Sequence, residues 1–161
     1  CLFTAMEIEK TALAAPGYYA GMGFGVPGGI GVAAATGRRP LILVGDGAFQ
    51  MTGTELSTAA RLGLKPIVLI LNNEGYGTMR QIRDGYFNVI SQWNYGKICE
   101  LIGGGEATVA ATKGQLDGAI RSAIGSKTLR VIDVRIPRDD MSPQLATMSS
   151  EVARLRGNKK R

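Results

Sequence analysis

Two short polar stretches follow apolar runs, and their residue types could together bind a metal ion. Asp46 lies between two glycines in the stretch LVGDGAFQ, and Asn73 is the second asparagine of LILNNEGYG. A carboxylate and an amide carbonyl are hard oxygen ligands, which Mg²⁺ takes up together with phosphate oxygens and water. Gly45 and Gly47 would let the backbone turn sharply and approach an anion. The two stretches predict a magnesium–diphosphate site if the fold brings them together.

The pattern around both stretches predicts that they meet at one edge of a parallel sheet. Apolar runs at 40–44 and 66–72 predict buried strands, and 52–62 predicts a helix with Thr52 or Thr54 as its cap. Such a strand–helix–strand unit places both carboxyl ends at the same edge, where ligands bind in open α/β sheets. Each stretch alone could be an ordinary turn with a capping side chain. Their joint spacing favours the site.

The rest of the chain continues the alternation of strands and helices. We predict helices at 94–102, 112–125 and 142–156, a weak strand at 107–111 and a further strand at 129–137. The alternating Arg130, Asp133 and Arg135 favour a more exposed position for that last strand. The pattern as a whole predicts an α/β fold with three layers, in which helices cover both faces of a mostly parallel sheet.

Composition and charge describe a globular protein and exclude several kinds of site. The chain has 161 residues, of which 45% are hydrophobic and 20% are charged, which suits a single domain over 1–150. Residues 151–161 hold much of the net charge of +6 and predict a basic, solvated tail rather than a nucleic-acid interface. The absence of histidine excludes Ser-His-Asp and Cys-His nucleophile pairs and histidine metal sites.

Three further features concern the setting of the protein. The segment Thr11–Gly37 has no charged residue and is long enough to suggest a membrane span, but its glycines favour a buried helix preceded by a loop. Cys1 and Cys99 show neither metal spacing nor a disulfide framework, so we expect a reducing cytoplasm. Because the sequence begins at Cys1 within a pattern, we expect a fragment of a longer protein.

The stretch from GDG to NN resembles the thiamine-diphosphate motif. The segments GYYAGMGFGVPGGIGVAAATGRRPLILVGDGAFQMTGTEL, SQWNYGKICELIGGG and VIDVRIPRDDMSP are similar to the carboxy-terminal, diphosphate-binding domain of 2-keto acid decarboxylases. The likeness covers roughly residues 1–150 and is greatest toward the indolepyruvate and phenylpyruvate branch. It implies a lyase that releases CO₂ from an aryl or indolyl 2-keto acid, with thiamine diphosphate and Mg²⁺ as cofactors.

The resemblance also implies roles for individual residues. Asp46 and Asn73 would ligate Mg²⁺ by their side chains, and Gly75 would do so by its backbone carbonyl. Met22 would hold the cofactor in a bent form, although core packing would be the ordinary interpretation of this residue alone. Ala20 would accept a hydrogen bond from the cofactor's amine through its carbonyl. The complete set of implied cofactor-binding residues is Ala20, Met22, Gly45, Asp46, Gly47, Ala48, Asn73, Gly75 and Tyr76.

Two positions depart from the family's pattern. Many relatives have Ser where this chain has Ala48, which leaves only the backbone amide as a contact to the diphosphate. Pyruvate decarboxylases carry a catalytic Glu at the position of Met79, and methionine cannot exchange a proton. The phenylpyruvate branch also has an apolar residue there, so Met79 favours a substrate with a large apolar side chain. No catalytic residue is expected on this chain.

The resemblance implies partners and leaves alternatives open. In the family, the Glu that activates the cofactor lies on an amino-terminal, pyrimidine-binding domain, usually of a second subunit. We therefore expect a homo-oligomer, and a chain that is inactive alone. The alternatives are an acetolactate-synthase-like or benzoylformate-type carboligase or decarboxylase, and a non-catalytic cofactor-binding module. Gly23, Gly25 and Gly28 also match a dinucleotide-binding pattern, but no strand precedes them and Pro27 interrupts it.

Overall fold

A four-stranded parallel sheet forms the middle of the molecule. The computed structural model describes residues 13–15, 19 and 21–155. Its strands are β1 (Leu41–Gly45), β2 (Ile67–Asn72), β3 (Glu106–Ala110) and β4 (Arg130–Arg135), in the spatial order β1-β2-β4-β3. Its helices are α1 (Gly25–Thr36), α2 (Asp46–Thr52), α3 (Leu56–Arg61), α4 (Gly77–Ile82), α5 (Ile98–Ile102), α6 (Lys113–Gly125) and α7 (Pro143–Leu155). Short 3₁₀ turns occupy Gly53–Glu55, Tyr86–Asn88 and Tyr95–Lys97.

The strands have an apolar cluster on each face of the sheet. On one face, Ile42, Val68 and Val131 pack with residues of α1, α2, α3 and α5. On the other face, Leu69 and Ile132 pack with residues of α6. Because side chains alternate along a strand, both faces of the central strands can be buried only if helices cover both. The predicted α/β fold with helices on both faces is confirmed.

The position of β4 differs from the prediction. β4 pairs with both β2 and β3, so it is an inner strand, and all but its last residue are buried. Its polar side chains are buried because neighbouring strands provide partners for them. Asn72 Nδ2 donates a hydrogen bond to Asp133 Oδ1 at 3.0 Å, and Arg130 pairs with Glu106 on β3. The alternation of charged residues on β4 therefore indicates partners across the sheet and not exposure to solvent.

The helical segment after β1 also differs from the prediction. A helix was expected at 52–62, whereas α2 begins at Asp46 itself and a 3₁₀ turn separates it from α3. Gly45 is extended, with φ −72° and ψ 154°, so the chain passes from strand to helix within one residue. The hydroxyl of Thr52 caps no helix and instead donates to the carbonyl of Gly23 at 2.9 Å. The helix α4 was not predicted from the sequence.

Part of the uncharged segment forms α1, but only one face of this helix is buried, whereas a buried helix was expected. In α1, Val26, Ile30 and Ala33 are buried, and Gly29 packs so closely on Ile42 that a Cβ would overlap that side chain. Within the described part of the chain, no helix has the length and apolar character needed to cross a membrane. At the other end, α7 continues past the predicted start of the tail at residue 151.

Candidate functional site

The two polar stretches meet through the carboxylate of Asp46. This residue is the first of α2, immediately after β1, and only 1% of its surface is exposed. Its Oδ1 accepts a hydrogen bond from the N–H of Gly47, and its Oδ2 accepts one from the N–H of Gly75, both at 2.9 Å. Gly75 lies three residues after Asn72, the last residue of β2, which pairs in parallel with β1. The structure thus brings both stretches to the carboxyl edge of the sheet.

The turn after β2 has an uncommon backbone shape. Glu74 has φ 64° and Gly75 has φ 142°, and both values lie in the region that favours glycine. Asn72 supports the turn because its Oδ1 accepts a hydrogen bond from the N–H of Glu74 at 3.2 Å. Gly75 is also required for space, since a Cβ there would overlap the carbonyl oxygen of Asn88. Glu74 is therefore the turn residue that its place in the sequence suggests.

The glycines around Asp46 act differently from the prediction. Gly45 and Gly47 were expected to provide a sharp turn, but Gly45 has an ordinary extended backbone and Gly47 lies within α2. The space at Gly47 matters instead, because a Cβ there would lie 2.5 Å from the ring of Tyr76. The conformational freedom of glycine is used at Gly75, while Gly47 allows the two halves of the site to pack closely.

Arg80 on α4 reaches back to the same turn and is 6% exposed. Its Nη1 donates hydrogen bonds to the carbonyls of Asn73 (2.8 Å) and Arg138 (3.0 Å), and its Nη2 donates to the carbonyl of Glu74 (2.5 Å). The guanidinium therefore joins the turn after β2 to the segment after β4. This residue was not predicted, because its partners are backbone carbonyls, which have no signature in the sequence.

Opposing effects act on the pKa of the Asp46 carboxyl. Burial raises the pKa of this carboxyl above its usual range. The backbone N–H groups of Gly47, Gly75 and Glu74, and then the positive charge of Arg80, act in the opposite direction. A divalent cation at this carboxylate would stabilise the ionised form that burial disfavours. The site is therefore suited to a positively charged ligand.

The remaining predicted residues lie around this centre or outside the described part of the chain. Met22 is 54% exposed, and its segment is connected to the end of α2 through the bond between Thr52 and Gly23. Ala48 is half-buried in the first turn of α2, and Tyr76 is half-buried between Gly75 and α4. Met79 on α4 is 49% exposed. Ala20 lies outside the described residues.

Asp133 and Arg135 on β4 form a second polar group that Asn72 connects to the site. The burial of Asp133 was not predicted. Asp133 is fully buried on β4 and accepts a hydrogen bond from Asn72, the residue whose other amide atom supports the turn. Arg135 Nη2 lies 2.8 Å from Asp133 Oδ2, the oxygen that Asn72 does not contact, and the two side chains form an ion pair. The alternation of charged residues on β4 was the available signal, but it was taken as a sign of exposure. These residues connect the centre of the sheet to the turn.

The donor set agrees with the chemistry of Mg²⁺. One buried carboxylate, one side-chain amide on Asn73 and the carbonyl of Gly75 are all oxygen donors, which hard cations prefer. The Gly75 carbonyl accepts one hydrogen bond, from the N–H of Gly77 at 3.0 Å, and retains a second lone pair. No group of three or more His, Cys, Asp or Glu side chains gathers anywhere in the described residues. A cation bound here would need oxygen atoms from a ligand such as a diphosphate.

These features define an α/β domain with a buried carboxylate and polar turn residues gathered at the carboxyl edge of a parallel sheet. A family model described as "Thiamine pyrophosphate enzyme, C-terminal TPP binding domain" matches residues 2–134. The chain therefore belongs to the family of thiamine pyrophosphate enzymes and corresponds to their C-terminal TPP-binding domain. The resemblance inferred from the sequence is confirmed.

The relatives are decarboxylases, and they are much longer than this chain. The chain is 42% identical over 158 residues to an indole-3-pyruvate decarboxylase of Azospirillum brasilense, covering 96% of this chain and 29% of the relative. It is 36% identical over 146 residues to pyruvate decarboxylase 3 of Arabidopsis thaliana, covering 86% and 25%. The chain thus spans less than a third of the length of these relatives.

A solved structure supports the same fold. The thiamine diphosphate-dependent 4-hydroxybenzoylformate decarboxylase of Rhodococcus jostii RHA1 matches with a TM-score of 0.69 and 27% sequence identity. The match covers 76% of this chain and 24% of the other.

Proposed function

We propose that this chain forms the diphosphate- and Mg²⁺-binding part of a lyase that decarboxylates a 2-keto acid to the aldehyde without oxidation. The observation that supports this proposal most directly is the hydrogen bond from Gly75 to Asp46. It joins the two halves of the thiamine-diphosphate motif around one buried carboxylate. The decarboxylase names of the relatives support the class of reaction.

The residues of the site have distinct roles in this proposal. Asp46 and Asn73 ligate Mg²⁺ by their side chains, and Gly75 ligates it by its carbonyl. The backbone of Gly47 and Ala48 lies against the diphosphate at the start of α2, with the N–H of Ala48 as the donor, because the N–H of Gly47 donates to Asp46 Oδ1. When bound, thiamine diphosphate supplies the nucleophile for the keto carbon and the acceptor for the electron pair that CO₂ leaves behind.

The surroundings of the site position the reacting part of the cofactor and set the substrate. Gly45, at the end of β1, and Tyr76, against Gly47, lie beside the diphosphate, while Met22 supports the cofactor from the segment before α1. The carbonyl of Ala20 accepts a hydrogen bond from the cofactor's amine. These four assignments rest on the resemblance to the family, together with the packing of Tyr76 on Gly47.

Met79 supports a substrate with a large apolar side chain. A methionine at this position can contact an aryl or indolyl group, but it cannot donate or accept a proton. The similarity to a relative named indole-3-pyruvate decarboxylase agrees with this choice. We therefore propose phenylpyruvate or indolepyruvate as the preferred class of substrate.

The proposed enzyme requires more than this chain. A pyrimidine-binding domain, in the same polypeptide or in a partner subunit, supplies the missing half of the cofactor site, and the assembly is a homo-oligomer. The lengths of the relatives support a missing domain. The buried free thiol of Cys99 agrees with a reducing, cytoplasmic setting. Residues 1–150 form the cofactor domain in this proposal, and 151–161 form a basic tail.

A substrate panel tests the proposal. The complete protein, saturated with thiamine diphosphate and Mg²⁺, is assayed for CO₂ and aldehyde with phenylpyruvate, indolepyruvate, benzoylformate and pyruvate. We expect higher kcat/KM for the two aryl-substituted pyruvates than for pyruvate, and no need for a Met79→Glu substitution. A preference for pyruvate would contradict the assignment of substrate, and carboligation without aldehyde release would contradict the class of reaction.

A further inference from the structure

We propose that Arg80 is a positioning residue, which fixes the shape of the metal-binding turn Asn73–Gly75. The inference rests on the proposed function, because the turn matters as a metal site. It goes beyond that function by assigning a role to a side chain that touches neither the cofactor nor the metal in this scheme.

The hydrogen bonds of the turn divide its oxygen atoms into two groups. Arg80 binds the backbone carbonyls of Asn73 and Glu74. The proposed function assigns the side chain of Asn73 and the second lone pair of the Gly75 carbonyl to the cation. Arg80 thus occupies the oxygens that are not ligands. Without it, the two carbonyls could rotate toward the metal or toward water.

The backbone of the turn needs such support. Glu74 has a positive φ without being glycine, which is a strained conformation for a residue with a side chain. The guanidinium lies directly against the next residue, because a Cβ on Gly75 would be 2.6 Å from Arg80 Nη2. Arg80 therefore supports both the strained residue and the residue whose carbonyl is assigned to the metal in the proposed function.

Arg80 also connects the turn to a second element. Its Nη1 donates to the carbonyl of Arg138, which follows β4, as well as to that of Asn73. The buried Nε makes no hydrogen bond with any described residue, so the two Nη groups hold the turn. A planar fork with donors in fixed directions can bind three carbonyls at once, whereas the single ammonium group of lysine cannot reproduce this geometry.

The charge of Arg80 acts against its geometric role, and the experiment must separate the two. A positive charge near the site opposes the binding of Mg²⁺, so removal of the charge alone would strengthen binding. Arg80→Lys keeps the charge and loses the fork. Arg80→Met keeps an apolar stem of similar length and loses both the charge and the fork. Arg83→Met is the matched control, because Arg83 is an exposed residue at the end of the same helix.

The test measures metal binding directly in the complete protein. Mg²⁺ affinity is measured by calorimetry with thiamine diphosphate present, and Mn²⁺ affinity by electron paramagnetic resonance of the free ion. For Arg80→Lys we expect the Kd for both ions to rise about tenfold or more. The kcat at saturating metal should stay near that of the wild type, while the metal concentration for half-maximal activity rises in parallel. Arg83→Met should bind both ions as the wild type does.

The outcomes separate this inference from the proposed function. If the wild-type protein shows no metal-dependent binding of thiamine diphosphate, the proposed function fails. If the wild type binds and Arg80→Lys binds equally well, the positioning role is wrong. Tighter binding by Arg80→Met than by the wild type would also overturn it, because charge would then outweigh geometry. Loss of folding in both Arg80 variants, seen by circular dichroism, would make Arg80 a stability residue and contradict the proposal.

Discussion

At the scale of residues, the site depends on one buried carboxylate with several donors. Asp46 loses hydration on burial, which raises its pKa, and the N–H groups of Gly47 and Gly75 recover part of that cost. Each carboxylate oxygen accepts one of these bonds and keeps a lone pair that can bind a cation. The same side chain can therefore hold the apo turn in place and ligate the metal.

We expect Asp46→Ala to abolish Mg²⁺-dependent binding of thiamine diphosphate. The substitution removes the only carboxylate of the proposed ligand set and releases the N–H of Gly75. The Kd measured by calorimetry in the complete protein should rise by at least about a hundredfold, which corresponds to about 2.8 kcal/mol. Asp117→Ala, an exposed carboxylate on α6, is the control. Unchanged affinity in Asp46→Ala would remove the basis for the site.

The thiol of Cys99 should react slowly in the folded protein. Burial raises its pKa to about 11, and only the thiolate is an effective nucleophile. At pH 8 we expect alkylation by iodoacetamide about a hundredfold slower than for an exposed cysteine, with the rate rising toward pH 11. The pKa of the Cys99 thiol is higher in the folded than in the unfolded protein, so burial of the thiol contributes fully to stability below the unfolded pKa. That contribution is lost as the pH rises through about 11.

Mass spectrometry of the peptide that contains Cys99 checks this expectation. The same reagent applied after denaturation provides the control rate. Complete labelling of the native protein within minutes at pH 8 would show that Cys99 is accessible and ionised.

At the scale of elements, the sequence predicted the strands that carry the site better than the helices between them. The apolar runs of β1 and β2 are clear in the sequence. Parallel pairing of the two strands then places Asp46 and Asn73 at the same edge of the sheet. The helix start at Asp46 was missed because Gly45 leaves no turn between strand and helix. The six-residue α4 was missed because it has neither a capping signal nor enough length for a periodic pattern.

The position of β4 illustrates what a single sequence lacks. Charged residues usually indicate exposure, but Asp133 is buried since Asn72 on β2 provides a hydrogen-bond donor. That partner lies 61 residues away in the sequence, so no local pattern reveals it. Arg80 was missed for the same reason. Long-range polar pairs inside the sheet are a part of this fold that the sequence did not reveal.

Arg39 should stabilise the edge of the sheet opposite the site. Its guanidinium donates to the carbonyls of Lys65 (2.5 Å), Ser126 (2.7 Å) and Thr128 (2.9 Å), which joins the start of β1 to the segment after α6. We expect Arg39→Met to lower the free energy of unfolding by about 1–2 kcal/mol, because these bonds are charge-assisted but partly exposed.

Urea denaturation of the complete protein measures this loss. Arg38→Met, the exposed neighbouring residue, should change the free energy of unfolding by less than about 0.5 kcal/mol. Equal effects of the two substitutions would show that charge, and not the bonds across the sheet edge, is responsible. Metal binding should be unaffected in both variants, since both residues are distant from the carboxyl edge.

At the scale of the whole molecule, the described residues leave apolar side chains exposed on and around α1. Met22 and Phe24 just before α1 and Met51 on α2 are between 42% and 54% exposed, and Val32 on α1 and Leu41 at the start of β1 are 36% and 54% exposed. Exposed apolar side chains on one helix and its neighbours are commonly part of an interface. Because Met22 is assigned to the cofactor site, the covering partner would close the site as well as the surface.

The chain alone should therefore be inactive and should self-associate. It lacks histidine, and it carries Met79 where the resemblance places a catalytic Glu, so neither an imidazole nor that carboxylate is available to move protons. A cofactor that contacts two domains would lose about half of its contacts, and we expect weak binding.

Sedimentation equilibrium of the 161-residue chain should show oligomers, and Val32→Lys should shift them toward monomer by placing a charge in the apolar surface. Lys113→Met, a change of charge on the exposed start of α6, should leave association unchanged. A monomeric chain that turns over a 2-keto acid at a rate on the order of 1 per second would contradict both the need for a second domain and the assignment of this surface as an interface.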